Sequence, residues 1–465
     1  MLGLTVAEAA RALGAPFAGD GSRPLLRVVS DSRDAQTGDL FVALPGARVD
    51  GHDFLSVVAA QGAAAALVLP GHGPRPHSLA VIEVPDTTAA LASLARFHLA
   101  RLSARVFGVT GSVGKTTAKD FLAQLLGGPD AGVHAAPASF NSEVGLPLSI
   151  LGAGLNCRSL VLEYGINAPG EMEVLRRIAP PHEVWITALA EVHLEGMRDL
   201  ATIIREKALL AAAAPAGGRI WLSDNLRKTL AGCASGWQAR IHALPGLREP
   251  GLRIISRSPM AWELSHPRWG ELFLPVVAEH EVETALAAGT IASAQGVAPA
   301  VIAARLRRLT RPRGRLTLQR SGAITLLNDA YNASPASLQA ALEALAAWPG
   351  EGRRIAILGA MNELGESAER LHRAAGVAAA SLPLTRVLGI GVGGKWIAEG
   401  ARSMGMEAMV VADQAEALAL LEADLLPADV LLLKASRAEG LDRLLEPLSR
   451  AAARTAAAVS VARRS

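Results

Sequence analysis

The sequence predicts an α/β protein built as three domains. Three observations lead there. Short apolar runs, the mark of strands covered on both faces, alternate with helix-like segments over most of the chain. Its 465 residues, at roughly 150 per domain, leave room for about three. The alternation also breaks twice. One break falls near residue 103; the other is "LTRPRGRLT" (309–317), where Pro312 and Gly314 stand among charges as in a hinge or linker. The expected domains are 1–103, 104–315 and 316–465.

In the first region, "TVAEAARALG" has helical spacing and ends on glycine. "LLRVVSDSR", "DLFVAL", "AALVL" and "LAVIEV" read as short strands, so this is a small α/β N-terminal domain. "DTTAALASLARFHLARLS" reads as a helix with Asp86 as its N-cap, leading into the next domain. In the second region, "RVFGVTG" is a strand running into a glycine loop and "KTTAKDFLAQLLG" is the helix behind it. "SLVLEYG", "EVWITAL" and "GRIWLSD" are further strands, giving a central parallel-sheet domain. In the third, "AITLLNDA", "RRIAILGA", "RVLGIGV", "EAMVVAD" and "DVLLLKAS" alternate with helices such as "SLQAALEALAAW" and "AEALALLEADL". That is a second doubly wound, Rossmann-like unit.

Composition narrows the function classes. Half the residues are hydrophobic, 19% are charged and only 4% are aromatic, so aliphatic side chains must fill the cores. Lys and Arg (46) nearly balance Asp and Glu (43), and no basic cluster precedes the C-terminus; nucleic acid is not an expected partner. The tail "SRAAARTAAAVSVARRS" carries four arginines and reads as a helix end fraying into solvent, with membrane contact as the alternative. Cys157 and Cys233 lack CxxC or metal-like spacing and read as reduced thiols. The N-terminus has no charged segment ahead of an apolar run, and no run of about 18 apolar residues occurs. A soluble, cytoplasmic protein without a membrane span is expected, as a monomer.

The strongest chemical signal is "GVTGSVGKTT" (108–117). A glycine loop between a strand and a helix presents backbone N–H groups to an anion, and the helix start adds partial positive charge. Lys115 supplies an ammonium for the outer phosphates, and Thr116 a hydroxyl for Mg²⁺. The strict GxxxxGK[ST] pattern is broken, since Val109 stands at its first glycine, while "TGSVGKTT" is intact. The expected ATP contacts here are Thr110, Gly111, Ser112, Val113, Gly114, Lys115, Thr116 and Thr117.

This loop resembles the T-G-[ST]-x-G-K-[ST] loop of the Mur ligase family, which uses ATP to join amino acids or peptides to a carboxylate. Other segments carry the same resemblance in the same order. "LVLEYGINAPGE" offers Glu163 at a strand end, as a ligand for the nucleotide's Mg²⁺. "EVHLEGM" and "IIREKALL" offer His193 and, fourteen residues on, Lys207. The family's lysine is carbamylated and ligates a second Mg²⁺; without the resemblance Lys207 would read as a surface lysine. The resemblance thus implies Lys115, Glu163, His193 and Lys207 as catalytic, and Thr116, Glu163, His193 and Lys207 as ligands of two Mg²⁺ ions. "SFNSEVGLPLSIL" places Asn141 and Gly145 at the acceptor cleft. "RPRGR" and "LLNDAYNASPASL" place Arg315, Asp329 and Asn332 on the nucleotide; read alone, the latter is a strand-to-helix turn capped by Ser334 before Pro335.

The segment "VVSDSRDAQTGDLFVALPGARVDGHDF" (28–54) resembles a uridine-nucleotide-binding first domain, with Ser32 and Arg33 as substrate contacts. "AYNASPASLQAALEAL", "AILGAMNELGESAERLH" and "LLLKASRAEGLD" resemble segments of the branch that adds D-alanyl-D-alanine to UDP-N-acetylmuramoyl-tripeptide. They make Lys434 and Arg437 further substrate contacts. The implied substrates are ATP, that tripeptide nucleotide and D-Ala-D-Ala. His372 is a candidate general base, although a histidine on a helix surface is the plainer reading.

The chain departs from the family pattern at Ala168, Glu281, Thr284, Ser334, Ala360 and Ala435. Two alternatives follow: a ligase of the family with another acceptor, or a nucleotide-binding paralogue without catalysis. An ordinary phosphate-loop GTPase is disfavoured by the lack of an N-K-x-D motif.

Overall fold

A computed structural model describes residues 2–46, 49–233, 236–258 and 260–462. The chain forms two compact units. The first comprises Met1–Gly111, Leu122–Ile186 and Arg205–Ala243; the second comprises Ser112–Phe121, Thr187–Ile204 and Leu244–Ser465.

In the first unit the N-terminal region carries a five-stranded sheet in the order Phe17–Ala18, Ala80–Glu83, Ala65–Val68, Leu40–Val42, Val28–Val29. All its pairings are parallel except that of the Phe17–Ala18 edge. Phe41, Val58, Ala66, Val68 and Val81 form its core. The helix expected from "TVAEAARALG" runs Val6–Leu13. Thr5 Oγ1 accepts the Glu8 N–H, the Glu8 carboxylate accepts the Thr5 N–H at 2.7 Å, and Gly14 (φ 61°) ends it. Asp86 caps the Thr87–Arg101 helix by accepting the Thr88 and Ala89 N–H groups.

"LLRVVSDSR" is not one strand. Pro24–Leu25 pairs with Leu4–Thr5, Val28–Val29 joins the larger sheet, and Ser32–Asp34 is a 3-10 turn. Its end has a local cause: the Asp31 side chain accepts the Arg33 N–H at 2.9 Å and so competes with strand pairing beyond Val29.

The six-stranded sheet of the first unit is wholly parallel. Its order is Ile241–Ala243, Arg219–Leu222, Glu183–Ile186, Arg105–Thr110, Ser159–Glu163, Val133–Ala135. Register sets Val109 beside Glu163 and Thr110 beside Ile186, so the carboxyl ends of three neighbouring strands lie level. Ligand-binding residues gather at that edge in open parallel sheets.

The second unit holds a second six-stranded sheet in the order Thr317–Ser321, Ile324–Asn328, Val430–Lys434, Arg354–Leu358, Arg386–Ile390, Ala408–Val411. Only the first pairing is antiparallel. Leu327, Leu342, Leu358, Ile397 and Leu432 fill one face; Leu326, Ile357, Leu388, Leu431 and Leu448 fill the other. This is the doubly wound arrangement the sequence predicts. The unit also contains an antiparallel sheet of Arg253–Arg257, Trp262–His266 and Gly270–Leu274, which the sequence reading missed. Its first strand is exposed along its whole length, so it lacks the alternation that marks a half-buried strand.

The C-terminal helix runs Leu445–Ala462. No helix among the described residues is long and apolar enough to cross a membrane.

Candidate nucleotide and ligase site

The strand Arg105–Thr110 enters the glycine loop, and the helix Lys115–Leu126 leaves it. Gly114 adopts φ 81°, a left-handed conformation that favours glycine. The second unit holds the loop from Ser112 onward through backbone and hydroxyl bonds. Ser112 N–H donates to Ala188 O at 2.7 Å, its hydroxyl donates to Ala190 O at 2.8 Å, and Thr187 Oγ1 donates to Val113 O at 2.6 Å. The Ser112 N–H and hydroxyl and the Val113 carbonyl are thereby committed to the 187–190 segment. Lys115 Nζ lies 3.2 Å from Ser112 O, and Thr116 is buried.

Arg315 also reaches this loop. Its Nη2 donates to Thr116 Oγ1 at 3.0 Å, and its guanidinium stands 4.6 Å from the centroid of the Tyr331 ring. Arg437 stands 5.3 Å from the same ring. Cation–π contacts of this kind hold planar cations in place at modest cost. Gly314 (φ 70°) accepts the Tyr331 N–H at its carbonyl, and Leu316 N–H donates to Asp329 Oδ1 at 3.1 Å. The predicted hinge segment is thus tied to the turn following Ile324–Asn328.

Asp329 and Lys434 form an ion pair at 2.5 Å, and Lys434 also donates to Asn332 O at 3.0 Å. Lys434 is 2% exposed. Burial pulls its pKa down and Asp329 opposes that shift. Its ammonium therefore braces the Asp329–Asn332 turn from inside. Arg437 is exposed and lies 3.7 Å from Asp442.

In the first unit, Glu163 is 1% exposed and its Oε1 accepts Asn141 Nδ2 at 2.7 Å. Asn141 O accepts the Gly165 N–H, and a Cβ on Gly165 would come within 2.5 Å of the Asn141 side chain. Two segments that the sequence reading treated separately are therefore one interlocked unit. Thr110 Oγ1 donates to Tyr164 O at 2.9 Å, fixing the strand end ahead of the loop. Lys207, on the helix Leu200–Ala213, is 1% exposed, which removes the surface-lysine reading. Ser32 and Arg33 lie in the 3-10 turn. Arg33 is paired with Asp31, whose carboxyl it pulls down to about 2, mainly by side-chain hydrogen bonding.

His193 adopts φ 54° ahead of the short helix Leu194–Met197, and its Nδ1 bonds Glu363 Oε2. His372 is buried. Its Nδ1–H donates to Ala368 O at 2.6 Å and its Nε2 accepts the Met361 N–H at 2.8 Å. Both nitrogens are used internally and burial lowers its pKa, so the structure assigns it to packing and not to proton transfer.

The departures from the family pattern also acquire places. Glu281 is buried; it accepts the Val277 and Ala278 N–H groups and pairs with Arg311 at 2.8 Å. Ser334 caps Pro335–Ala346, as the sequence predicts. A Cβ on Gly359 would lie 2.8 Å from Ala435 Cβ, and one on Gly393 would lie 2.7 Å from Ala360 Cβ. Ala360 and Ala435 are thus each matched to a neighbouring glycine.

No group of three or more His, Cys, Asp or Glu side chains suited to a metal ion occurs among the described residues. The Thr116 hydroxyl and the Glu163 carboxylate are each oxygen donors of the kind Mg²⁺ takes, and Mg²⁺ commonly binds through few protein ligands and substrate phosphates.

Three family models match the chain: Mur ligase family, catalytic domain (27–98); Mur ligase middle domain (109–292); and Mur ligase, glutamate ligase domain (314–437). A Bacillus subtilis relative is 33% identical over 427 residues, covering 90% of this chain and 92% of its own length. The chain belongs to the Mur ligase family. That relative, and one from Mycobacterium tuberculosis 34% identical over 96% of the chain and 98% of its own length, are UDP-N-acetylmuramoyl-tripeptide–D-alanyl-D-alanine ligases. Among solved Mur ligases, MurF from Acinetobacter baumannii superposes with TM-score 0.79 at 27% identity, covering 96% of this chain and 99% of that one. MurF from Thermotoga maritima in complex with ADP gives 0.75 at 26%, covering 92% and 97%.

Sequence reasoning missed Glu363 and Tyr331 as contact residues. Tyr331 sits inside a quoted family segment, so its arginine partners could have been suspected. Glu363 bonds a residue 170 positions away, and no local pattern signals that.

Proposed function

We propose that this Mur ligase adds D-alanyl-D-alanine to UDP-N-acetylmuramoyl-tripeptide with ATP, giving the UDP-linked pentapeptide, ADP and phosphate for peptidoglycan synthesis. Similarity to the named ligases over 90% or more of the chain carries the reading. The Arg315–Thr116 contact on the glycine loop supports it.

A carboxylate does not condense with an amine at neutral pH, because its oxygen is a poor leaving group. In the proposed mechanism the tripeptide carboxylate attacks the γ-phosphorus of ATP, the bond to the bridging oxygen breaks, and ADP departs. The amine of D-Ala-D-Ala then attacks the acyl phosphate carbon, loses a proton, and the tetrahedral adduct expels phosphate. Lys115 and the loop N–H groups hold the polyphosphate, while Arg315 balances charge on the transferred group. Asp329 and Asn332 bind the nucleoside end, with Lys434 fixing their turn. Asn141 orients Glu163 beside the acceptor, Ser32 and Arg33 hold the uridine nucleotide, and Arg437 faces the incoming peptide.

Two Mg²⁺ ions would neutralise the approaching anions, one held by Thr116 and Glu163 and the other by His193 and a carbamylated Lys207. Closure of the third domain about 311–316 would exclude water from the acyl phosphate. We assign the domains to 1–103, 104–315 and 316–465, and the working form to a cytoplasmic monomer.

Purified protein given ATP, Mg²⁺, UDP-N-acetylmuramoyl-tripeptide and D-Ala-D-Ala should release phosphate and yield the pentapeptide mass. Phosphate release with another amino acid or dipeptide only would replace the proposed acceptor. No release with any acceptor, beside an active control ligase, would refute the ligase reading.

A further inference from the structure

The geometry points to Glu363 as a positioning residue for His193, a latch by which the 361–365 loop sets the imidazole for metal binding. This rests on the proposed role of His193. Glu363 grips the 193–198 turn twice. Its Oε2 accepts the His193 Nδ1–H, and its backbone carbonyl accepts the Glu195 N–H at 3.2 Å. The approach is close: a Cβ on Gly365 would lie 3.4 Å from Glu195 Cα.

Both partners are held in uncommon backbone states. His193 (φ 54°), Arg198 (φ 68°) and Glu363 (φ 65°) are all non-glycine residues with left-handed φ. Each such residue is strained and persists only where its surroundings enforce it. The Glu363 side chain is 51% exposed, against 21% for His193, so this pair is no buried core contact.

A carboxylate on Nδ1–H fixes the imidazole tautomer and leaves Nε2 as the metal-binding nitrogen. The two residues fall in separate family segments, 109–292 and 314–437. The latch therefore makes one metal ligand competent only when the C-terminal segment is docked. ATP turnover without that docking would be suppressed.

The test uses the full chain with Glu363→Ala and Glu363→Gln. The glutamine oxygen can still accept the Nδ1–H. Hydrogen exchange across residues 193–198, without nucleotide, should rise about three- to tenfold in the alanine variant and stay near wild type in the glutamine variant. The Mg²⁺ concentration giving half-maximal phosphate release should rise about 10- to 100-fold in the alanine variant, with KM for the tripeptide nucleotide unchanged, and glutamine should restore most of it. Unchanged exchange and Mg²⁺ dependence in Glu363→Ala would overturn the latch, as would a glutamine variant as impaired as alanine. Should the alanine variant misfold, the glutamine variant still decides: impaired Mg²⁺ dependence in it refutes the latch. A wild-type chain that makes no product would sink the functional reading and leave the exchange test standing.

Discussion

Replacing Arg315 probes the nucleotide site where the structure is most explicit. The side chain makes one hydrogen bond from a cation, to Thr116 Oγ1 at 3.0 Å, and one cation–π contact, 4.6 Å from the Tyr331 ring. The first is worth about 1.5–3 kcal/mol and the second about 0.5–2 kcal/mol. If, with ATP and Mg²⁺ bound, the guanidinium exchanges Thr116 Oγ1 for a phosphoryl oxygen and keeps the ring contact, Arg315→Ala forfeits about 2–5 kcal/mol. At roughly 1.4 kcal/mol per tenfold, kcat/KM for ATP should fall by about 30- to several thousandfold. Arg315→Lys keeps the charge but not the planar fork, so it should recover only part of the loss. Tyr331→Leu removes the ring while leaving the Thr116 bond, and should cost about tenfold. The assay is continuous phosphate release with ATP varied, beside thermal melting to confirm folding. A folded Arg315→Ala variant with kcat/KM within threefold of wild type would refute this account.

Three further outcomes are expected. Lys115→Ala should abolish phosphate release while leaving the melting temperature near wild type, since Lys115 lies at the loop and not in a core; residual turnover above a few per cent would contradict its assignment. Gly359→Ala should destabilise the protein by about 1–3 kcal/mol in urea unfolding, because its new methyl meets Ala435 Cβ at 2.8 Å, and adding Ala435→Gly should recover most of that; no recovery would show that the clash lies elsewhere. Stability should also fall as pH drops below the ordinary histidine value of 6.5. Burial depresses the folded pKa of His372, so the unfolded chain takes up a proton that the folded chain resists. This contribution is fully present above 6.5 and is lost at up to about 1.4 kcal/mol per pH unit below it. His372→Asn should flatten that part of the slope between pH 7 and 5, as read from urea midpoints; an unchanged slope would remove His372 from the effect.

Much of the architecture is written locally. The Thr5–Glu8 capping box, Asp86 and Ser334 as caps, and the strand-to-loop passage at Arg105–Thr110 each depend on residues within a few positions of one another. Apolar runs also identified most strands of both parallel sheets. The reading failed where local hydrogen bonding or exposure overrode the pattern, at Asp31–Arg33 and along Arg253–Arg257.

By itself, then, the sequence determined the alternating α/β plan, the phosphate loop with Lys115 and Thr116, and the family's order of motifs. Periodicity and turn chemistry act over a few residues, and such signals survive without a fold. Tertiary structure decided the long-range partnerships: Thr116 with Arg315, Asp329 with Lys434, Glu281 with Arg311, and His193 with Glu363. It also decided that His372 is packed between Ala368 and Met361, and that Ala360 and Ala435 each face a glycine. Those outcomes depend on which helices and loops the sheets bring side by side, and on the need to pair or fill whatever polar group or space is buried there.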